Sequence, residues 1–360
     1  MNSESTSAKS SESAYPLPSL HIQNFRAFKD LRLDNLGRVN LIVGKNNVGK
    51  STLLEAIALY ASGPAVLYEL VNLLQARQEF QRPLLQDEHG PVVDLYRTFH
   101  SQTHLATSNG TAATCSIAAP PNIKNSISIY LSSQPTKKTH SLLITTNETT
   151  YNIVNQSGLG PLITDSRTLE RPFSCHFISS LGAASKQLDW LWDSIVLTDR
   201  EQDVLRSLQI IAPEIERVSL AEGPKTSAQG RVPLVRRTGI RDPEPLRSMG
   251  DGMNRVFELA LGLANSKDGL FLVDELENGV HYSAQEQLWR LILETASQLN
   301  VQVFATTHSW DCIESFQRAA SSHPSNGALI SLARQEGEVK GTVFNERDLE
   351  IITRESIEVR

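Results

Sequence analysis

Gly44-Lys45-Asn46-Asn47-Val48-Gly49-Lys50-Ser51 fits the pattern G-x-x-x-x-G-K-[ST] at every position. The physics accounts for each residue type. Glycines at 44 and 49 let successive backbone N–H groups curl around phosphate oxygens, and a helix starting at Ser51 turns its positive end toward them. Lys50 would reach the β- and γ-phosphates and the Ser51 hydroxyl would hold Mg²⁺, with Asn46, Asn47 and Thr52 completing the nucleotide-binding set. The flanks support this reading. Val39-Asn40-Leu41-Ile42-Val43 is an almost wholly apolar run, as a strand covered on both faces requires. From Ser51 to about Tyr60, Leu53, Leu54, Ile57 and Ala58 fall on one side of a helix. Strand, glycine loop and helix together predict an α/β fold of the P-loop NTPase kind.

Three further stretches extend the site. Leu270-Phe271-Leu272-Val273-Asp274-Glu275 is an apolar strand ending in two acids. Asp274 would orient Mg²⁺ and Glu275 would polarise the attacking water as general base. Thr306-Thr307-His308-Ser309 follows a second apolar strand, Val301 to Thr306, and places His308 where an imidazole can sense the γ-phosphate. Pro245-Leu246-Arg247-Ser248-Met249-Gly250-Asp251-Gly252 precedes an apolar helix, and Ser248 with Gly250 could present a hydroxyl and backbone N–H groups to a phosphate. Lys50 and Asp274 lie 224 residues apart, so a large segment separates the two halves of the site. No Asn-Lys-x-Asp guanine-reading motif occurs, which favours ATP as the nucleotide.

Asn24 to Phe28 (NFRAF), GKNNVGKST, SMGDG, DELENGVH at Asp274 to His281, and TTHS stand in the order found in OLD-family and RecF-like ATPases, which this chain resembles. The resemblance covers roughly residues 20–60 and 245–350. It implies an ABC-type head with a mostly parallel core sheet, an antiparallel β subdomain and an inserted helical region. Two copies would sandwich two ATP molecules. Lys50 and Ser51 would serve phosphate and Mg²⁺, Asp274 Mg²⁺, Glu275 as base and His308 as sensor. Ser248 and Gly250 would act on the partner copy's nucleotide, and Glu277-Asn278-Gly279 would touch that partner. Departures are informative. The signature is not the L-S-G-G-Q of transporters, and Gln75, Gln78 and Gln86 all compete for the Q-loop position. Only 52 residues follow His308, with no acidic triad, so no TOPRIM nuclease is expected in this chain.

The chain has 360 residues, 40% hydrophobic and 21% charged, with net charge −6. That suits a folded globular protein and argues against a surface that is basic throughout. Arg231, Arg236, Arg237, Arg241, Arg247 and Arg255 form a local basic stretch, fit either for a DNA backbone or for ion pairs with Asp242, Glu244 and Glu258. Cys115, Cys175 and Cys312 give neither a disulfide framework nor a zinc spacing, pointing to a reducing, cytoplasmic setting. No apolar run approaches the roughly 20 residues of a spanning helix, so no membrane is expected. A Ser-rich tail, 1–19, is expected to be disordered and precedes the ATPase domain 20–360, whose inserted β/helical middle spans about 111–240, with Trp190, Trp192, Leu205, Leu208 and Ile211 as helical core. The functional expectation is an ATP-gated homodimer controlling DNA or a separately encoded effector or nuclease, in phage defence or genome maintenance. The alternatives are a RecF-like DNA-binding repair protein and an ATP-binding scaffold of slow turnover.

Overall fold

The computed structural model describes residues 15–79, 98–100, 105–107, 110–119, 126–134, 139–146, 149–155, 171–180, 185–222, 231–250, 252–322 and 327–359. Strands β1 (Leu20–Phe25) and β2 (Phe28–Leu33) come first, and β3 (Val39–Gly44) runs into the glycine loop. Helices α1 (Lys50–Ser62) and α2 (Val66–Ala76) follow it. The middle of the chain holds β4 (Leu105–Thr107), β5 (Gly110–Ala118), β6 (Ser126–Gln134), β7 (Thr139–Thr146), β8 (Thr149–Asn155) and β9 (Cys175–Ile178). Next come α3 (Ser185–Asp193), α4 (Asp199–Ile211), β10 (Ile215–Glu222), β11 (Arg231–Arg237) and β12 (Glu244–Pro245). The last third alternates α5 (Gly252–Asn265), β13 (Leu270–Val273), α6 (Gln285–Gln298), β14 (Gln302–Thr306) and α7 (Trp310–Ala320). It ends in β15 (Gly327–Gln335), β16 (Glu338–Phe344) and α8 (Glu346–Arg354).

The core sheet runs β16-β15-β3-β14-β13-β9, parallel except for β16. Every residue of β3, β13 and β14 is buried, which is why these strands read as continuous apolar runs. Alternate side chains enter two cores. Leu270, Leu272 and Phe304 pack with α1, α2 and the antiparallel sheet. Phe271, Val273, Val303 and Ala305 pack with α4, α5, α6 and α7. Each such side chain contributes about 1.5–3 kcal/mol of burial, so a slip of one residue in register would be costly. The pairings Thr306↔Ile42 and Val273↔Ala305 bring the carboxyl ends of β3, β14 and β13 to one edge. In an open parallel sheet that edge is where ligands bind.

Helix α5 sits close against β13. At Gly262 an added Cβ would run into the ring of Phe271 and meet Ile178 Cδ1 at 3.2 Å. Gly262→Ala should therefore destabilise the fold by roughly 1–3 kcal/mol through overpacking. A thermal melt checks this, and an unchanged Tm would mean that helix and strand are not in such contact.

The second sheet, antiparallel, runs β2-β1-β5-β6-β7-β8, with β4 paired to β5. The region 111–240 is not a separable insertion, because β5 pairs with β1 and β9 forms the edge of the core sheet beside β13. Four residues, Cys-His-Phe-Ile, were too short a run to reveal β9 by pattern. The 1–19 tail is also revised at its end: Leu17 is fully buried, and its backbone exchanges hydrogen bonds with the Gln302 side chain at 2.9 and 2.8 Å. Residues 1–14 of that tail lie outside the described residues. Trp192 and Leu208 are core as expected, but Trp190 is 57% exposed, because α3 turns it away from the packed face. Finally, the most apolar window of the helical stretch Lys50–Ala76 has a mean hydropathy of 1.4, long and apolar enough by composition to span a membrane although Glu55 and Glu69 interrupt the stretch. It is 72% buried within the protein and serves as a core element.

Candidate active site

The glycine loop closes at the sheet edge in the conformation its residues dictate. Gly44 has φ +149, and a Cβ there would strike the Leu332 carbonyl oxygen, so only glycine fits. Gly49, at φ +117, is the residue from which α1 starts. Lys50 is buried, and its Nζ donates to the carbonyls of Gly44 at 2.6 Å and Lys45 at 3.1 Å. Burial lowers the Lys50 pKa from its ordinary value, opposed by the carboxylates of Asp274, Glu275 and Glu277.

The acid strand brings its two carboxylates to this loop. Ser51 Oγ donates to Asp274 Oδ2 at 2.9 Å, joining the two predicted Mg²⁺ ligands. Thr306, fully buried at the end of β14, donates from its hydroxyl to the other oxygen, Asp274 Oδ1, at 2.6 Å. The same hydroxyl accepts from the Glu275 backbone N–H at 2.8 Å, so one side chain fixes both acids. Glu275 adopts φ +49, a left-handed conformation that costs a non-glycine residue on the order of 1–3 kcal/mol and marks functional positions. Its carboxylate is held at both ends. Oε1 lies 3.1 Å from His308 Nε2, and Oε2 accepts from Asn278 Nδ2 at 2.7 Å. The His308 backbone N–H donates to Glu277 Oε1 at 2.9 Å.

Some of these groups border one cavity of about 600 Å³, within the range of small-molecule sites. Asn46, Asn47, Gly49, Lys50, Ser51 and Thr52 line one side, and Glu275 and His308 also border it. Gly44 lies behind the loop, and Asp274 is reached through Ser51. Ser51 and Asp274 offer hard oxygen donors, the kind Mg²⁺ takes alongside phosphate oxygens and water, so the residues present fit that ion.

Other expectations fall differently. Ser248 and Gly250 stand exposed in and just after the 3₁₀ turn Leu246–Met249, and neither lines this cavity. Within this copy, Glu277 and Asn278 bond to His308 and Glu275, and Gly279 between them and Val280 is exposed at φ +79. Gln75 and Gln78 are exposed and do not line the cavity, whereas Arg77 between them does. Gln86 lies outside the described residues. The arginine stretch is largely paired: Arg231 with Asp193, Arg236 with Glu216, and Arg237 with Glu244. Arg255 is buried, paired with Glu258 at 3.2 Å, and its Nη2 reaches the Asp274 and Glu275 carbonyls at 3.4 and 3.5 Å. It braces the acid turn and is not a DNA contact. The sequence reading passed over Arg77 and Ala27, gave Thr306 no role of its own, and gave Asn278 a different one. Thr306 carried a usable signal, a hydroxyl ending an otherwise apolar strand; Arg77 carried none.

Comparison with known proteins supports an ATPase domain. A domain family described as "AAA ATPase domain" matches residues 17–159. Another, "AAA domain, putative AbiEii toxin, Type IV TA system", matches 196–311. The chain is 25% identical over 329 residues to a Helicobacter pylori protein named ATP/GTP phosphatase, covering 83% of this chain and 86% of that one. It is 34% identical over 90 residues to the protein MJECL11 of Methanocaldococcus jannaschii, covering 25% of this chain and 78% of that one. It is 47% identical over 47 residues to the DNA replication and repair protein RecF of Clostridioides difficile, 13% of each. Among solved structures, the Smc head bound to the C-terminal winged-helix domain of ScpA superposes with TM-score 0.52 at 13% identity. That match covers 92% of this chain and 98% of the other, a likeness of fold.

Proposed function

We propose that this chain, a P-loop ATPase of SMC-head-like, ABC-like fold that belongs to one family with MJECL11, is an ATP-driven switch in which two copies close around two nucleotides. What carries the reading is the continuous contact chain Ser51–Asp274–Thr306–Glu275–His308 beside the glycine loop. Lys50 and the loop N–H groups bind the β- and γ-phosphates. Mg²⁺, held by Ser51 and Asp274, would neutralise phosphate charge. Glu275, oriented by Asn278 and His308, takes the proton of the attacking water, and His308 then faces the departing phosphate. Ser248 and Gly250, exposed on their own copy, complete the site of the other. Adenine is favoured by the missing guanine-reading motif. The output, by resemblance to the OLD family, is control of a separately encoded effector in defence or genome maintenance. Titration with Mg-ATP and assay of phosphate release test the reading: saturable binding with turnover supports it, and binding without any release does not.

Thr306 sharpens that test. Thr306→Val keeps the shape and removes the hydroxyl shared by both acids. Phosphate release should fall roughly 10- to 100-fold through misplacement of Glu275 and Asp274, with ATP affinity little changed. Turnover equal to wild type would show that the Thr306 hydroxyl does not position them.

The RecF match favours a second reading, in which ATP controls a grip on DNA. A duplex affinity that appears only with ATP and falls steeply with salt would select it. Salt-insensitive or absent DNA binding would select the protein-effector reading.

A further inference from the structure

Behind the nucleotide cavity lies a cluster of four charges that the proposed chemistry does not use. Glu55 sits on α1 one turn after Ser51 and is buried. Its Oε1 accepts from Arg77 Nε at 2.5 Å, and its Oε2 lies 3.2 Å from Arg26 Nε. Arg26 also grips Glu79 through two parallel bonds of 3.0 Å each. The cluster is neutral overall, yet its members are not equivalent. The Arg26 and Glu55 side chains are 7% and 6% exposed, whereas that of Arg77 is 36% exposed and borders the cavity. Within the cluster it bonds to Glu55 through Nε. A guanidinium tethered by Nε still has the two-pronged Nη edge that matches a phosphate.

Its mounting is rigid. The Arg77 backbone N–H caps α2 by donating to Leu73 O at 3.1 Å. Gln78 then takes φ +57, and Glu79 N–H returns to Leu74 O at 2.9 Å, closing the helix end. Only the side chain of Arg77 is free to reorient. The electrostatics favour a second cation here. Without Arg77, Lys50 alone would face Asp274, Glu275 and Glu277, a net negative surround for a polyanionic ligand.

We infer that Arg77 is a second phosphate-binding cation of the nucleotide site, held by Glu55 and transferred to a phosphate oxygen of the bound nucleotide. The inference rests on the ATPase reading. Arg26 is what permits the transfer. When Arg77 swings away, Glu55 still has the Arg26 guanidinium 3.2 Å from its Oε2, which offsets part of the cost of leaving that carboxylate buried. Burial pushes the Glu55 carboxyl up from its ordinary range, and the two arginines oppose that shift. Nucleotide binding is thereby coupled to the turn between β1 and β2, where Arg26 resides.

Calorimetric titration of Mg-ATP and Mg-ADP into the full chain tests this, using wild type, Arg77→Ala, Arg77→Lys and Glu55→Gln. A charge-assisted phosphate contact predicts a roughly 10- to 100-fold loss of ATP affinity in Arg77→Ala. Arg77→Lys should recover part of it, and Glu55→Gln should bind ATP at least as well as wild type, because only the tether is weakened. A loss for ATP but not ADP places the contact on the γ-phosphate; an equal loss places it further in. Melts without nucleotide separate binding from folding. Arg77→Ala binding ATP like a competent wild type would overturn the inference alone. So would a loss matched by an equal fall in the nucleotide-free Tm with no rescue by lysine. A wild type that does not bind ATP would remove the ATPase reading and this inference together.

Discussion

Lys50→Met should lower Mg-ATP affinity by roughly two orders of magnitude while leaving the fold intact. The two halves of that expectation have different physical sources. Lys50 Nζ is the cation at the start of α1, where the loop N–H groups already point outward. Removing it leaves Asp274, Glu275 and Glu277 facing an incoming polyphosphate with less positive charge to offset them. Stability should not follow affinity down. Burial disfavours the charged form of Lys50, as its lowered pKa indicates, so methionine replaces a costly buried ammonium with an apolar chain of similar length. The sign is consistent with linkage: a lysine whose folded pKa is depressed detracts from stability at neutral pH, and deleting its charge removes that penalty. Nucleotide titration beside a thermal melt checks both halves. Normal affinity in Lys50→Met would mean that the glycine loop does not bind the phosphates.

Glu275→Gln should retain ATP and lose hydrolysis by roughly 10²- to 10⁴-fold, the usual contribution of a positioned general base. The substitution is nearly isosteric. A glutamine oxygen can still accept from Asn278 Nδ2, and the backbone at φ +49 remains locked by the bond from Glu275 N–H to Thr306 Oγ1. What disappears is the basic oxygen beside His308 that would receive the water's proton. Binding should be preserved because Lys50, Ser51 and the loop are untouched. Phosphate release within threefold of wild type would transfer the role of base to another group.

Much of this site was legible in the sequence because its chemistry is local. The glycine loop, the acid pair and His308 each follow an apolar run, and parallel pairing of β3, β14 and β13 necessarily gathers their carboxyl ends. What escaped was what depends on tertiary packing. Thr306 bridges Asp274 and Glu275 only because β14 lies beside β13 in that register. Asn278 and Glu277 belonged to a loop read as facing a partner, and within this copy their amide and carboxylate bond to Glu275 and His308. Arg77 was hidden among glutamines, since its place depends on Glu55, 22 residues earlier, and on the end of α2. Arg255 looked like part of a basic surface; its burial under the acid turn comes from α5 packing on the sheet. The way the middle of the chain joins the two sheets escaped for the same reason. Four residues of β9 and the pairing of β5 with β1 stitch the middle of the chain into both sheets, and neither leaves a local periodicity to read.

The most direct test of the ATP-gated dimer is the molar mass of Glu275→Gln by light scattering, with and without Mg-ATP, with bound nucleotide measured in the same samples. The account predicts 39.8 kDa without nucleotide and about twice that with Mg-ATP, as Ser248 and Gly250 of each copy close on the other's site. A mass that stays at 39.8 kDa while ATP is demonstrably bound would contradict it.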